Sequence, residues 1–411
     1  MKLNRHRLNN GLRLLHLHDA NSEMVYVNLL YGVGARNESS NYTGIAHLFE
    51  HLMFEGTPNV PSFDEPLESA GGENNAYTNN DITNYYISLP KENAELAFWL
   101  ESDRMQNLQL TDESVSVQRQ VVIEEFKLEH LNRPYGDVSM LLRSMAFKKH
   151  PYRWSTIGRR PSHIAKVPVS VLQGFYTRFY APDNAVLAVV GNIPFGQVVE
   201  WCEKWFAPIP AIGYVKPQLP AEPRQLRQRR KVVYRNVPER GLYMAFHMGG
   251  RGDADFFACD VISDILSNGY SGRLVSRLVK RRHFFTKIDA FISSTDDPGL
   301  FWIYARVADG VSMQRAEAAL WSELERLQQV DVPKRELEKV CNRFESEHIF
   351  RNISGENLAA NLALAEWRSV AEELFEEPRR YSEVTASQVR ATAKELFRKG
   401  NSNVLYYMPK K

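Results

Sequence analysis

The chain has 411 residues, 44% of them hydrophobic, and its 51 basic and 49 acidic side chains leave a formal charge of +2. That length exceeds what one hydrophobic core ordinarily serves, so two domains are expected. The near-cancelled charge gives no nucleic-acid footprint, and no apolar run reaches the roughly 18 residues of a membrane-spanning helix.

Met1 to Leu8 carry positive charge with no apolar stretch behind them, so they are not a signal peptide as written and read as a first strand. His16 and His18 follow on one strand face without a neighbouring acid, which predicts a surface strand. Met24 to Tyr31 is a further strand, and then comes His47-Leu48-Phe49-Glu50-His51. On a helix, positions i and i+4 share a face, so both imidazoles can aim at one ion while Glu50 projects beside them. This H-x-x-E-H order is the inverse of H-E-x-x-H, and both are patterns of zinc sites that carry their own base. A catalytic zinc takes three protein ligands and leaves a position for water, so another element must supply the third.

Tyr85 to Leu89 reads as a strand and Ala94 to Gln106 as a helix. Val115 to His130 is helix-compatible and holds Glu124, Glu125 and Glu129. Glu125 is the chosen third ligand: Val121, Val122 and Phe126 would seat this helix against a core, as Ile45, Leu48, Leu52 and Phe54 would seat the motif helix. His130, His150, His163 and His348 stand in polar contexts that predict solvation, whereas Phe175 to Tyr180 has the helical spacing of core.

Ala185 to Val190 is a further strand. Residues 208–231, with five prolines and the basic run Arg227 to Lys231, read as an extended linker with solvated charges. It divides an N-terminal domain, 1–207, from a C-terminal domain, 232–411, in which Gly241 to Met248 and Leu300 to Ala305 are strands and Ala316 to Gln329 a helix. Strands grouped with intervening helices predict an α+β fold, each domain a mostly antiparallel sheet with helices packed on one face. Three widely spaced cysteines, Cys202, Cys259 and Cys341, suit buried thiols in a reducing, cytoplasmic setting.

The halves echo each other. Gly32-Val33-Gly34 matches Gly250-Arg251-Gly252, and Val171, Phe179 and Val186-Leu187 match Val389, Phe397 and Val404-Leu405, all at an offset of 218, which points to duplication of a whole domain. At that offset His47, Glu50 and His51 fall on Ile265, Asn268 and Gly269, so the second copy carries no ligands.

Four segments together resemble the pitrilysin family of inverzincins, in the branch of mitochondrial processing peptidase and small bacterial homologues. They are Gly44 to Thr57, Gly71 to Thr78 with Asp81, Thr83 and Tyr85, Val121 to Glu125, and Gly269 to Leu274. The resemblance implies a zinc-dependent endopeptidase in which His47, His51 and Glu125 hold Zn²⁺ and Glu50 is general base on a zinc-bound water. It also implies that Asn75, Ala76 and Tyr77 add an extended peptide to the sheet as an edge strand. Gln118 stands where the family commonly has a glutamate. Val279 and Thr286 stand where an arginine and a tyrosine would contact substrate, so the resemblance implies a dimer, the zinc-bearing partner of a paralogue that supplies that pair. A homodimer that holds substrate through Lys280 to His283 is the other arrangement. A non-catalytic scaffold subunit and a zinc-containing peptide-binding module are the alternative functions.

Overall fold

The central strands carry apolar residues at successive positions: Ala185-Val186-Leu187-Ala188-Val189-Val190 is buried throughout, so its sheet needs cover on two faces. The computed structural model describes residues 2–410 and contains two sheets. The first comprises β1 (Leu3–Arg7), β2 (Arg13–His18), β3 (Met24–Tyr31), β4 (Glu73–Thr78), β5 (Thr83–Pro90) and β6 (Ala185–Gly191), in the order β1-β2-β6-β3-β5-β4. The second comprises β7 (Arg229–Arg235), β8 (Arg240–His247), β9 (Phe285–Ile292), β10 (Leu300–Val307) and β11 (Ser402–Pro409), in the order β7-β11-β8-β10-β9.

Apart from β1, the two orders are the same, and each has its parallel pair at the same place, β2 with β6 and β7 with β11. The remaining pairs are antiparallel, giving the expected α+β fold twice. Burial does not keep the offset of 218 between the copies. Val186 pairs with Leu30 and both face the helix Gly355–Arg368, whereas Val404 pairs with Met244 and both face the helices Phe256–Ser267 and Met313–Gln329, so positions 218 apart fall on opposite faces of their sheets.

The compact units interleave in sequence. The first takes residues up to Lys127, then Trp154–Leu219 and Ile349–Phe375; the second takes Leu128–Arg153, Pro220–His348 and the chain from Glu376 onward. In the first unit, the helices Ile45–Leu52, Glu95–Asn107 and Phe195–Phe206 lie on one face of the sheet. Its other face presents Leu15, Leu17, Leu30, Val186, Ala188 and Val190 to Leu358, Ala359, Leu362 and Ala363 of the helix Gly355–Arg368. In the second unit, Leu242, Met244, Phe246, Ile303 and Val404 meet the helices Phe256–Ser267, Met313–Gln329 and Ala386–Leu396. Tyr243, Ala245, Trp302, Leu405 and Tyr407 on the opposite face meet Val138, Leu142 and Met145 of the helix Val138–Ala146. Each unit therefore has the expected helical layer plus one helix from the other half of the sequence over its second face.

Several local expectations are corrected. His16 is 1% exposed, because the helix Phe195–Phe206 covers its face of β2; the ring stacks on Phe195 at 5.6 Å, and burial pushes its pKa down to about 4. His150 and His163 are buried as well, the latter bonded to Thr43 Oγ1 at 2.9 Å. Residues 208–228 form no strand or helix, but the basic run ends inside β7, where Arg230 grips Glu317 with two 2.7 Å bonds and is not solvated linker. Cys202 and Cys259 are buried, Cys341 half-buried, and none is in a disulfide.

The covering role of Gly355–Arg368 has a direct measure. Leu362, 1% exposed, contacts the sheet, so Leu362→Ala is expected to lower the unfolding free energy by about 2–5 kcal/mol in urea denaturation. A loss within error of zero would show that the helix does not cover this core.

Candidate metal centre

The helix Ile45–Leu52 buries Ile45, Ala46, Leu48, Phe49 and Leu52, and this fixes which face is left for His47, Glu50 and His51. It begins at Gly44, whose φ of +94° is left-handed and whose absent Cβ would lie 2.7 Å from the Ile157 carbonyl oxygen, so no larger residue fits. The carboxyl group of Glu38 accepts the Gly44 and Ala46 backbone N–H groups, each at 2.9 Å, satisfying two donors at the helix N-terminus. The Tyr85 hydroxyl donates to the Phe49 carbonyl at 3.3 Å and ties the helix to β5.

The helix Asp112–Phe126 starts at Thr111, whose hydroxyl accepts from the Ser114 N–H, and buries Val115, Val122 and Phe126. Val121 does not help to seat it as expected but is 43% exposed, one position off the buried stripe. That stripe sets the rotation that brings Glu125 to the histidines: its Oε2 lies 3.7 Å from His47 Nε2 and 3.6 Å from His51 Nε2. The imidazole centroids are 4.9 Å apart with planes at 82°. One donor atom from each of the three residues falls within 4.8 Å of the others, and among the described residues this is the one such cluster of His, Cys, Asp and Glu. Glu124 instead engages Lys127 and Gln120, and Glu129 engages Arg133.

The donors fit a divalent cation. Two imidazoles and one carboxylate are a catalytic-zinc set, and their spacing is close to that of ligands around one tetrahedral ion with bonds of ~2.0–2.2 Å. Burial pushes the His47 pKa down, opposed by Glu125 and Glu50 and reinforced by His51, so the ring stays neutral and able to ligate. Glu50 Oε2 is buried without a hydrogen-bond partner, a costly state for a structural carboxylate and a suitable one for a group whose partner arrives with water or substrate.

Around this cluster, Gln118 donates its amide to Glu55, where a carboxylate at 118 would face another carboxylate. β4 is the sheet's edge strand and pairs only with β5, leaving one side of its backbone without a strand neighbour. Asn75 and Tyr77 on it are exposed and Ala76 half-buried. Asp81 forms a buried pair with Arg36 at 3.0 Å and Thr83 donates to the Val33 carbonyl at 2.9 Å, so these residues brace the strand turn. In the second unit, Val279 packs on the core and Thr286 donates to Glu239 at 3.1 Å.

Sequence reasoning missed Glu38, Glu55 and the buried pair Glu101–Arg104, whose guanidinium sits 4.2 Å from the Tyr85 ring centroid and 4.4 Å from that of Phe63. Only Glu38 left a trace, as an acid shortly before a helix that opens on Gly44.

A family model described as "Insulinase (Peptidase family M16)" matches residues 13–160, and one described as "Peptidase M16 inactive domain" matches residues 166–344. The chain is similar to "Zinc protease PqqE" of Helicobacter pylori (strain ATCC 700392 / 26695), 27% identical over 408 residues that cover 98% of this chain and 92% of that protein. It superposes on the crystal structure of a protease from Helicobacter pylori with a TM-score of 0.92 at 26% identity, covering 99% of this chain and 100% of the other. The first half of the periplasmic protease PqqL from Escherichia coli shares the fold, with a TM-score of 0.79 at 21% identity over 99% of this chain and 92% of that one.

Glu38 gives the helix a pH signature. Burial raises its carboxyl from an ordinary 4.5 to about 8, against the lowering effect of the backbone bonds. The folded state thus holds a proton that the unfolded state releases, and stability falls as pH rises from about 4.5 to 8. Glu38→Gln is expected to flatten that slope in urea titrations across this window; an unchanged slope would place the proton elsewhere.

Proposed function

Because this chain belongs to the M16 family of peptidases, we propose that it is a zinc-dependent endopeptidase that cuts extended peptides. The observation that carries the proposal is the convergence of His47, His51 and Glu125, with Glu50 on the same helix face as the two histidines. These three would hold Zn²⁺, in keeping with the name of the Helicobacter pylori relative and with a donor set that contains no cysteine. When bound, the ion supplies Lewis-acid activation of water and of the scissile carbonyl.

The chain's own residues do the rest. Glu50 takes a proton from the attacking water and delivers it to the leaving amine, and its buried, partnerless oxygen suits that exchange. Asn75, Ala76 and Tyr77 receive the peptide along the open side of β4, where backbone hydrogen bonds give affinity with little demand on sequence.

We place the chain in a dimer as the metal-bearing subunit, with a paralogue supplying the arginine and tyrosine that Val279 and Thr286 replace. A cytoplasmic location suits its three unpaired cysteines; the neighbour PqqL is described as periplasmic.

A quenched-fluorescent peptide library, read with and without a chelator, tests the activity. Glu50→Gln is expected to keep stoichiometric zinc while hydrolysis falls by about 10²–10⁴-fold, the usual contribution of a positioned base. His47→Ala and Glu125→Gln are expected to lose the metal by elemental analysis, and full zinc in Glu125→Gln would move the third ligand to Glu124 or Glu129. Size-exclusion chromatography with activity assays decides the partner question: full turnover by the isolated chain would remove the need for a paralogue.

A further inference from the structure

Several arginines of the second unit end on a carboxylate. Arg230 is bonded to Glu317, Arg273 to Glu336 and Arg277 to Glu323, all at 2.6–2.7 Å. Arg306, on β10, is the contrast. Its guanidinium carbon lies 3.3 Å from the centroid of the Tyr135 ring and 5.4 Å from that of Tyr243, and it makes no hydrogen bond or ion pair with any described residue. Glu239 is close enough to act on it electrostatically, yet its Oε1 is taken by the Thr286 hydroxyl and no carboxylate oxygen reaches within 4.0 Å of the guanidinium. Burial pushes the Arg306 pKa down, the sign of a cation partly stripped of water without an anion in exchange.

Beside it is a second polar group without a partner. Tyr243 is 1% exposed and its hydroxyl has no hydrogen bond. Its ring lies over Gly241, the cross-strand partner of Arg306, and a Cβ at Gly241 would sit 2.4 Å from that ring. Both side chains line an open cavity of about 330 Å³, bounded also by Tyr304, His130, Arg133 and the loop through Tyr135 and Gly136. Tyr135 is held at φ +64°, unusual for a bulky residue, and its hydroxyl is clamped between the Glu239 N–H and carbonyl at 3.0 and 2.9 Å. The other charges facing the cavity offset one another, since Glu129 bridges Arg133 at 3.0 Å. The net result is a preformed pocket with a planar cationic fork, a buried hydroxyl donor and aromatic walls.

We propose that this pocket binds a carboxylate, presented by the C-terminus of a peptide. A guanidinium fork matches a carboxylate with two parallel bonds, and the Tyr243 hydroxyl is placed to donate a third. The volume is at the small end of ligand sites and suits a terminal residue. The site stands apart from the metal chemistry, because none of its residues ligates or transfers a proton in the peptidase reaction.

Calorimetric titration of the full chain, as Glu50→Gln so that peptide stays intact, tests it. The probes are an acetylated tetra-alanine with a free C-terminus, its C-terminal amide, an amidated peptide with one aspartate, and inorganic phosphate. The free acid is expected to bind about tenfold or more tightly than the amide, the size of one charge-assisted contact. Arg306→Met should bring the acid down to the level of the amide, Arg306→Lys should restore part of the difference, and Tyr243→Phe should weaken the acid alone. Thermal midpoints identify any variant that fails to fold, and the acid–amide contrast on the Glu50→Gln chain decides the matter without them. Equal binding of acid and amide, or no binding of either, overturns the proposal. Phosphate as tight as the acid overturns carboxylate selectivity, and the amidated aspartate peptide as tight as the acid overturns the terminal assignment.

Discussion

Burial of one face of the eight-residue helix Ile45–Leu52 is the constraint on which the candidate metal centre depends. A helix of that length has no stability of its own in water, so its existence and its rotation are both set by tertiary contacts. Leu48, Phe49 and Leu52 turn it, Glu38 holds its first amides, and Tyr85 anchors it to β5. The rotation that buries those residues leaves no choice about where His47 and His51 point. The same logic acts on Glu125, which is aimed by Val122 and Phe126. Ligand geometry here is a by-product of apolar packing on two separate helices.

The second copy of the fold shows what happens when that constraint is relaxed. Its helix Phe256–Ser267 buries Val261, Ile262, Ile265 and Leu266, and belongs to the core around most of its circumference. Apolar side chains stand where ligands would need to be, consistent with the match of residues 166–344 to an inactive peptidase domain. Strand order survived the divergence although positions 218 apart, such as Val186 and Val404, lie on opposite faces of their sheets.

Features encoded at short range were legible in the sequence. The histidine pair is an i, i+4 relation, and the strands 24–31 and 185–191 announce themselves by apolar runs. The place of Glu125 beside the histidines was reachable because its neighbours show which way its helix faces, even though Val121 misled by one position. What stayed hidden depends on partners far along the chain. His16 is buried only because the helix Phe195–Phe206 lies over its strand, Arg230 is paired only because Glu317 lies on a helix 87 residues away, and the unpaired state of Arg306's fork cannot be inferred from β10 itself.

The crossed helices govern how this chain can be made. The face of the first sheet built from Leu15, Leu17, Leu30, Val186, Ala188 and Val190 is complete once β6 has been synthesised, yet its cover begins only at Gly355, after β10 and two long helices have left the ribosome. Through that interval the nascent N-terminal half displays a greasy, water-facing surface, which makes its assembly intrinsically non-vectorial and dependent on shielding. Cutting the chain at the proline-rich stretch would strip from each piece the helix that covers one face of its sheet.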